Sequence, residues 1–547
     1  MNYTIKGFYV DIPERNIYPA TLSISNGKIE AVQPATDVPE HAGYILPGFI
    51  DSHVHIESSM LVPTEFARLA MVHGTIATIS DPHEIANVCG LQGVDFMISN
   101  GKKAPLKFYF GAPSCVPATG FETAGAELNA KAVTTLLERP EIKYLSEMMN
   151  FPGVLADDES VMEKIAAAKA LNKPVDGHAP GLTGDAVRKY IHAGISTDHE
   201  CFTAPEARGK LELGMKVLIR EGSAAKNFDA LIDLLQEYPD DIMFCSDDKH
   251  PDSLEAGHIN LLCKRAIEQG IDLFHVLNAA CVNPVKHYNL EVGLLQVGDP
   301  ADFIIVEDLN NFRVMKTVID GITVAENGHT TYPIPEETVQ INNFNCSLLN
   351  AEQLSYYPHE LALNEDGSIP VIKAIDGQLI TAKESFRPSV VHDRIPADPE
   401  NDILYLVVVN RYHDAPPAKS FVKNFGLKSG AIASSVAHDS HNIVAVGVNE
   451  EELALAINAL IRSKGGISCV KDGEVQVLPL PVAGLMSASN GYTVAQEYSR
   501  LDGLAKSLGS TLSAPFMTLS FMALLVIPHI KLSDKGLFDG DRFSIYE

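Results

Sequence analysis

The sequence predicts an α/β fold: a (β/α)₈ TIM barrel with a small β-sandwich domain built from both flanks, plus a C-terminal α/β domain. Three observations predict it. The chain of 547 residues is too long for one typical domain. Eight short apolar runs are each followed by a helix-like stretch, which is the pattern of parallel βα units. Turn-rich strand patterns lie on both sides of these runs.

The flanking segments are predicted to pair with each other. Residues 21–32 alternate apolar and polar side chains around Asn26-Gly27, which is a hairpin signal. A similar strand pattern returns at 301–306 and is followed by further Asp-Gly and Asn-Gly turns. A single hairpin is not stable alone. We therefore expect residues 1–46 and 289–342 to form one small β domain.

The barrel is predicted to span residues 47–288, close to the usual size of about 250 residues for this fold. Its eight candidate strands are 45–55, 75–80, 106–110, 142–148, 174–178, 196–200, 216–220 and 241–246. The active site of such a barrel lies at the C-terminal ends of its strands. Seven of the eight runs end in residues able to carry chemistry, and the third is the exception.

The remaining residues, 343–547, are predicted to form a mixed α/β domain with strands at 404–409 and 443–448 and an amphipathic helix at 450–462. We find no motif in this domain that can be translated into chemistry. The spacing of His438 and His441 could hold a metal, but a turn between two strands explains it equally well.

The composition excludes several classes of partner. Lys and Arg total 42 against 70 Asp and Glu, a net charge of −28 that repels nucleic-acid polymers and anionic membranes. The first residues lack a signal-peptide pattern, and the most apolar stretch, 517–527, is too short to cross a bilayer. Eight cysteines occur with no C-x-x-C spacing. We expect a cytoplasmic protein without a membrane partner.

The strongest chemical signal is the pair His53 and His55 in the segment PGFIDSHVH, residues 47–55. Residues two apart on a strand point to the same side, so both imidazoles can reach one metal ion in the barrel mouth. A lone H-x-H is a weak signal. Its position at the end of the first barrel strand makes the metal-ligand interpretation the favoured one.

Four further strand ends supply ligand types: Glu147, His178, His199 and Asp247. Two metal ions that share a bridging carboxylate would use all of them, with His53, His55 and Asp247 on one ion and His178 and His199 on the other. The alternative is that His178 and His199 are hydrogen-bonded core histidines. Their positions on the expected strand ends favour ligands.

A second group of polar residues, Asp81, His83 and Glu84, follows the second barrel strand. One of them could bind or protonate a substrate, or the group could be a solvated loop turned by Pro82. His250 could likewise contact a substrate or cap the helix that follows it. These alternatives stay open on the sequence alone.

The motifs resemble those of the amidohydrolase superfamily: the 47–55 segment, single histidines on strands five and six, and an aspartate on strand eight. Many binuclear members use a carboxylated lysine on strand four, where this chain has Glu147. That glutamate resembles the adenine deaminase branch, as do four further segments. They are IESS at 56–59, SDPHE at 80–84, SDDKH at 246–250 and ASSVAHDSHN at 433–442.

The resemblance implies hydrolysis of adenine to hypoxanthine and ammonia in purine salvage, with a small purine base as substrate. It implies two divalent ions, Mn²⁺ or Fe²⁺, with Zn²⁺ possible, and a homo-oligomer. Such ions lower the pKa of water so that hydroxide can attack near neutral pH. Asp247 is our first choice to carry the proton to the leaving amine. Glu84 and His83 are further catalytic candidates, and Asp81, Glu57 and His250 are substrate-binding candidates.

Three alternatives are separated by sequence features. Zinc-dependent base deaminases use H-x-E with P-C-x-x-C, and this chain has only the first half in His55-Ile56-Glu57. Another binuclear amidohydrolase, acting on a cyclic amide or an N-acyl group, would usually need the bridging lysine. An inactive scaffold has no reason to keep paired ligands on separate strands.

Overall fold

The computed structural model describes residues 2–39, 41–335, 337, 339–364 and 366–546. The chain begins with four strands: β1 (Asn2–Asp11), β2 (Asn16–Ser25), β3 (Lys28–Pro34) and β4 (Tyr44–Pro47). Ser25 pairs with Lys28 across the turn, and Asn26 and Gly27 both have positive φ, 50° and 76°. This is the backbone that a tight hairpin requires, so the predicted turn is confirmed.

The eight predicted barrel strands are all present. They are β5 (Phe49–Val54), β6 (Thr75–Ser80), β7 (Lys107–Ala112), β8 (Ile142–Met148), β9 (Val175–Gly177), β10 (Thr197–Asp198), β11 (Lys216–Arg220) and β12 (Ile242–Cys245). Within β5–β9 and within β10–β12, neighbouring strands pair in parallel.

Two junctions close the barrel. The amide of Ser196 donates to the Val175 carbonyl at 2.9 Å, and the amide of Asp247 donates to the His53 carbonyl at 2.9 Å. The first junction needs Gly177, because a Cβ atom there would lie 2.3 Å from the Thr197 carbonyl oxygen. The second junction places the residues that follow β12 directly beside those that end β5.

Fourteen α-helices accompany the barrel strands. They are α1 (Pro63–Ala70), α2 (His83–Cys89), α3 (Leu91–Gly101), α4 (Ala130–Leu137), α5 (Phe151–Leu155), α6 (Glu159–Ala170), α7 (Gly184–Ala193), α8 (Ala204–Leu211), α9 (Phe228–Leu231), α10 (Leu234–Glu237), α11 (Pro251–Ala256), α12 (Ile259–Glu268), α13 (Leu273–Leu277) and α14 (Asn283–Tyr288). Helix α2 starts three residues after β6 ends, which places its first residues at the barrel mouth.

Both flanks contribute to one eight-stranded sheet. Its later strands are β13 (Phe303–Val306), β14 (Val314–Ile319), β15 (Ile322–Glu326) and β16 (His329–Thr330). Strand β4 joins the halves, since it pairs in parallel with β1 and antiparallel with β13. The sheet curls so that the Ala301 amide reaches the Gly27 carbonyl, and an apolar cluster containing Leu22, Ile45 and Phe303 lies inside.

The C-terminal part is built on a second eight-stranded sheet in the order β18-β17-β20-β19-β22-β21-β23-β24, with a small hairpin sheet after it. These strands are β17 (Ile369–Lys373), β18 (Ala382–Phe386), β19 (Leu404–Val409), β20 (Ala418–Lys423), β21 (Ala431–Ser434), β22 (Ile443–Gly447), β23 (Gly466–Lys471), β24 (Glu474–Pro479), β25 (Ile530–Ser533), β26 (Gly536–Asp539) and β27 (Ser544–Ile545). The helices are α15 (Glu450–Ser463), α16 (Gly491–Ser507) and α17 (Pro515–Phe521).

Both faces of this sheet are buried, because side chains alternate along each strand. In β19, Val407 packs in one cluster with Ile457 of α15. Its neighbour Leu406 belongs to the large cluster shared with barrel residues such as Ile79. The C-terminal part is therefore joined to the barrel by a common hydrophobic core. Among the described residues, none of the helices has the length and apolar character needed to span a membrane.

Candidate metal and substrate site

The six predicted ligand side chains come together at the C-terminal end of the barrel. They are His53, His55, Glu147, His178, His199 and Asp247, each at most 5% exposed. His53 lies in β5 and His55 directly follows that strand. Because they are two residues apart, both rings point into the mouth, and their Nε2 atoms lie 3.1 Å from each other.

Glu147, near the end of β8, lies between the two groups of histidines. Its Oε1 is 3.3 Å from His55 Nε2, and its Oε2 is 2.7 Å from His178 Nδ1 and 3.2 Å from His199 Nε2. Burial would raise the pKa of this carboxyl, but the charge of His178 and hydrogen bonds from the imidazoles hold it well below its usual range. Oε1 of Glu147 thus faces His55, whereas Oε2 faces His178 and His199.

Asp247 follows β12 in a left-handed conformation, with φ 54°. Its Oδ1 is 3.4 Å from His55 Nε2, and its Oδ2 accepts a hydrogen bond from Arg220 at 2.7 Å. The Arg220 guanidinium also binds both carboxylate oxygens of Glu200, one of them at 2.8 Å. Sequence reasoning gave neither Arg220 nor Glu200 a role, although an arginine that ends an apolar strand was a visible signal.

Asp81, His83 and Glu84 lie in the same site. The solvated-loop alternative is wrong, since all three are at most 2% exposed and α2 begins at His83. His83 Nδ1 is 3.2 Å from Asp81 Oδ2 and 3.6 Å from Glu147 Oε1. The imidazole is therefore oriented by one carboxylate and lies beside the ligand cluster.

The loop after β21 contributes three residues that sequence reasoning did not assign. His438 Nδ1 lies 2.5 Å from Glu84 Oε1, and His441 Nε2 contacts the other oxygen of the same carboxylate. Burial would raise the pKa of Glu84, but the charges of His438, His441 and His83 hold it well below its usual range. Asp439 lies beside His83, with Oδ1 3.6 Å from Nε2.

Two predicted substrate-binding residues occupy other positions. Glu57 is buried under α2, where it accepts the amide of Ile85 at 3.2 Å, and burial and the charge of Glu84 raise its pKa to about 7. The His250 ring points to the Tyr498 hydroxyl on α16, with Nδ1 2.5 Å from the oxygen. His250 occupies the N-cap position of α11, but its side chain makes no capping hydrogen bond. The structure does not bring these two side chains into the cavity.

One cavity joins these groups, and all fourteen of its lining residues are buried. They are His55, His83, Glu84, Glu147, Met149, His178, His199, Glu200, Asp247, Asp248, Leu379, His438, Asp439 and Leu524. Polar groups dominate the barrel side. The C-terminal part adds Leu379 and Leu524, which give the cavity apolar walls.

The donor set fits divalent cations. Ligand atoms of His53, His55 and Asp247 lie within 4.8 Å of one another, and so do those of His53, Glu147 and His199. Imidazole nitrogens and carboxylate oxygens are ligands for such ions. The Nε2 atoms of His53 and His55 lie 3.1 Å apart, and a cation would stabilise such a close approach of two imidazole nitrogens.

Comparisons with known proteins cover both halves of the chain. Residues 44–324 match the model of the amidohydrolase family, and residues 378–544 match that of the adenine deaminase C-terminal domain. An adenine deaminase of Salinibacter ruber is 54% identical over 549 residues, covering 100% of this chain and 99% of that protein. One from Sulfurovum sp. is 54% identical, covering 98% of each chain. One from Methanosarcina mazei is 50% identical, covering 99% of this chain and 98% of that protein.

Proposed function

Because the chain belongs to the adenine deaminase family of amidohydrolases, we propose that it hydrolyses adenine to hypoxanthine and ammonia. The observation that carries the proposal is the cavity of buried side chains, which is lined by residues of both matched regions. The barrel supplies the ligand cluster, and the C-terminal region supplies Leu379, His438, Asp439 and Leu524. A flat heteroaromatic base needs this combination of polar edges and apolar walls.

The amidohydrolase family implies a divalent metal. In our proposal His53, His55 and Asp247 would hold one ion and His178 and His199 a second. Glu147 would serve as a ligand in both groups, a role that the different partners of its two oxygens support. When bound, such ions supply a water of lowered pKa and stabilise charge on the attacked ring. We propose Mn²⁺ or Fe²⁺, with Zn²⁺ as the third metal to test.

The reaction requires proton transfers that the chain itself can assist. Water adds to ring carbon C6, forming a C–O bond while the C6–N1 π electron pair moves to N1, which takes up one proton of the water. The C6–N6 bond breaks once the amine has accepted the other proton, leaving hypoxanthine and ammonia. In our proposal Asp247 takes a proton from the water and passes it to the amine. Its position in the ligand cluster and the hydrogen bond from Arg220 to one of its oxygens support this role. His83, whose Nδ1 lies 3.2 Å from Asp81 Oδ2, is our second candidate for this proton transfer.

Two finer expectations stay predictions. We propose a role in purine salvage, where free adenine is the substrate, and a homo-oligomeric assembly. Sedimentation analysis of the purified protein measures the assembly directly, and a single species with the mass of one chain would contradict it.

The proposed reaction is tested by ammonia release from a substrate panel. Metal-loaded protein is incubated with adenine, guanine, cytosine, adenosine and cyclic amides such as a hydantoin. We expect ammonia from adenine alone. Turnover of a cyclic amide with none from adenine would instead support the other binuclear amidohydrolase reaction.

A further inference from the structure

The loop between β21 and β22 reaches from the C-terminal sheet into the barrel mouth. His438 and His441 contact the two oxygens of Glu84, and the His438–Glu84 contact joins residues 354 positions apart in the chain. His438 Nε2 also lies 3.7 Å from Asp248 Oδ1. With both of its neighbouring histidines bound to Glu84, the position of Asp439 in the cavity wall is fixed.

Asp439 lies in the cavity wall beside His83. It is 3% exposed, and its Oδ1 faces His83 Nε2 at 3.6 Å. Among the described residues, its buried Oδ2 has no hydrogen-bond partner. Burying a carboxylate oxygen without a donor costs free energy, so the position is suited to a donor brought by a ligand. The apolar walls formed by Leu379 and Leu524 line the same cavity.

We infer that Asp439 is a specificity-determining residue that accepts a hydrogen bond from the imidazole-ring N–H of a free purine base. The inference rests on the proposed function and names the group that reads the far edge of the substrate. A free base carries this N–H, whereas a nucleoside or an N9-alkylated base carries a substituent there. A buried acceptor left without its donor disfavours such analogues.

Binding measurements test the inference independently of turnover. Hypoxanthine and 9-methylhypoxanthine are titrated by calorimetry into the metal-loaded wild type, into Asp439→Ala and into Asp439→Asn. We expect the wild type to bind hypoxanthine about 100-fold or more tightly than the methylated base. Asp439→Ala should weaken hypoxanthine binding by about 10–100-fold and change 9-methylhypoxanthine by less than about 3-fold, so the ratio collapses.

Asp472→Asn is the matched control, because Asp472 is exposed in the turn between β23 and β24 at φ 52°, which Asn tolerates. A variant in which both ligands weaken equally would overturn the inference, since a merely structural role leaves the ratio unchanged. If the variants do not fold, equal affinity of the wild type for the two bases overturns it instead. Ammonia release from adenine by the wild type reports separately on the proposed function.

Discussion

Replacing Arg220 by methionine should destabilise the metal-free protein strongly. The guanidinium is 2% exposed and makes charge-assisted hydrogen bonds to Glu200 and Asp247, both buried. Methionine fills similar space but leaves two buried carboxylates without their cation. Removing one partner of a buried pair costs about 3–5 kcal/mol. Bound divalent ions should recover part of the loss, because they bring positive charge to the same carboxylate cluster.

The assay is urea unfolding of the metal-free and metal-loaded forms, followed by circular dichroism because the chain has no tryptophan. Arg220→Lys should fall between wild type and Arg220→Met, since one ammonium cannot reproduce the fork that binds both carboxylates. Arg208→Met removes an exposed Arg–Glu237 pair and should leave the midpoint unchanged. A metal-free Arg220→Met protein with the wild-type midpoint would refute the reasoning.

Three further substitutions probe the site, the barrel closure and a buried lysine. Glu147→Gln should lower the amount of bound metal and reduce activity by about 100-fold or more, which exceeds the loss expected for a group that only orients ligands. The control Glu163→Gln, at an exposed position, should change neither the metal content nor the activity. Metal analysis that finds both proteins equally loaded would contradict this prediction. Gly177→Ala should destabilise the folded protein by about 1–3 kcal/mol, because the added Cβ meets the Thr197 carbonyl. Gly209→Ala in α8 has open space for its Cβ and should be neutral or stabilising. Equal melting temperatures of the two variants would count against the close approach at Gly177. Burial lowers the pKa of Lys531 to about 7, so the unfolded chain binds this proton more tightly and stability should rise between about pH 7 and pH 10. Lys531→Met should have a smaller slope over that range, and an unchanged slope would contradict the assignment.

Local periodicity accounts for what the sequence predicted well. An apolar run followed by H-x-H fixes both a strand and the side on which His53 and His55 lie, because side chains alternate along a strand. The same reasoning places Glu147 at the mouth, since active-site residues of this fold end barrel strands. Strand β19, residues 404–409, was predicted with its observed limits for the same reason.

Contacts between distant segments explain what the sequence did not show. The pairing of Glu84 with His438 and His441 depends on how the C-terminal sheet packs on the barrel, which no local pattern encodes. His250 illustrates the opposite error, in which closeness in sequence was taken as closeness to the substrate. It lies three residues after Asp247, yet its ring turns to Tyr498 on α16.

The paired-ion centre is tested most directly by anomalous scattering from crystals of the metal-loaded protein, collected on both sides of the metal absorption edge. We expect two peaks, one among His53, His55 and Asp247 and one beside His178 and His199, with the Glu147 carboxylate touching both. Metal-loaded crystals with no anomalous peak among these six side chains would contradict the account.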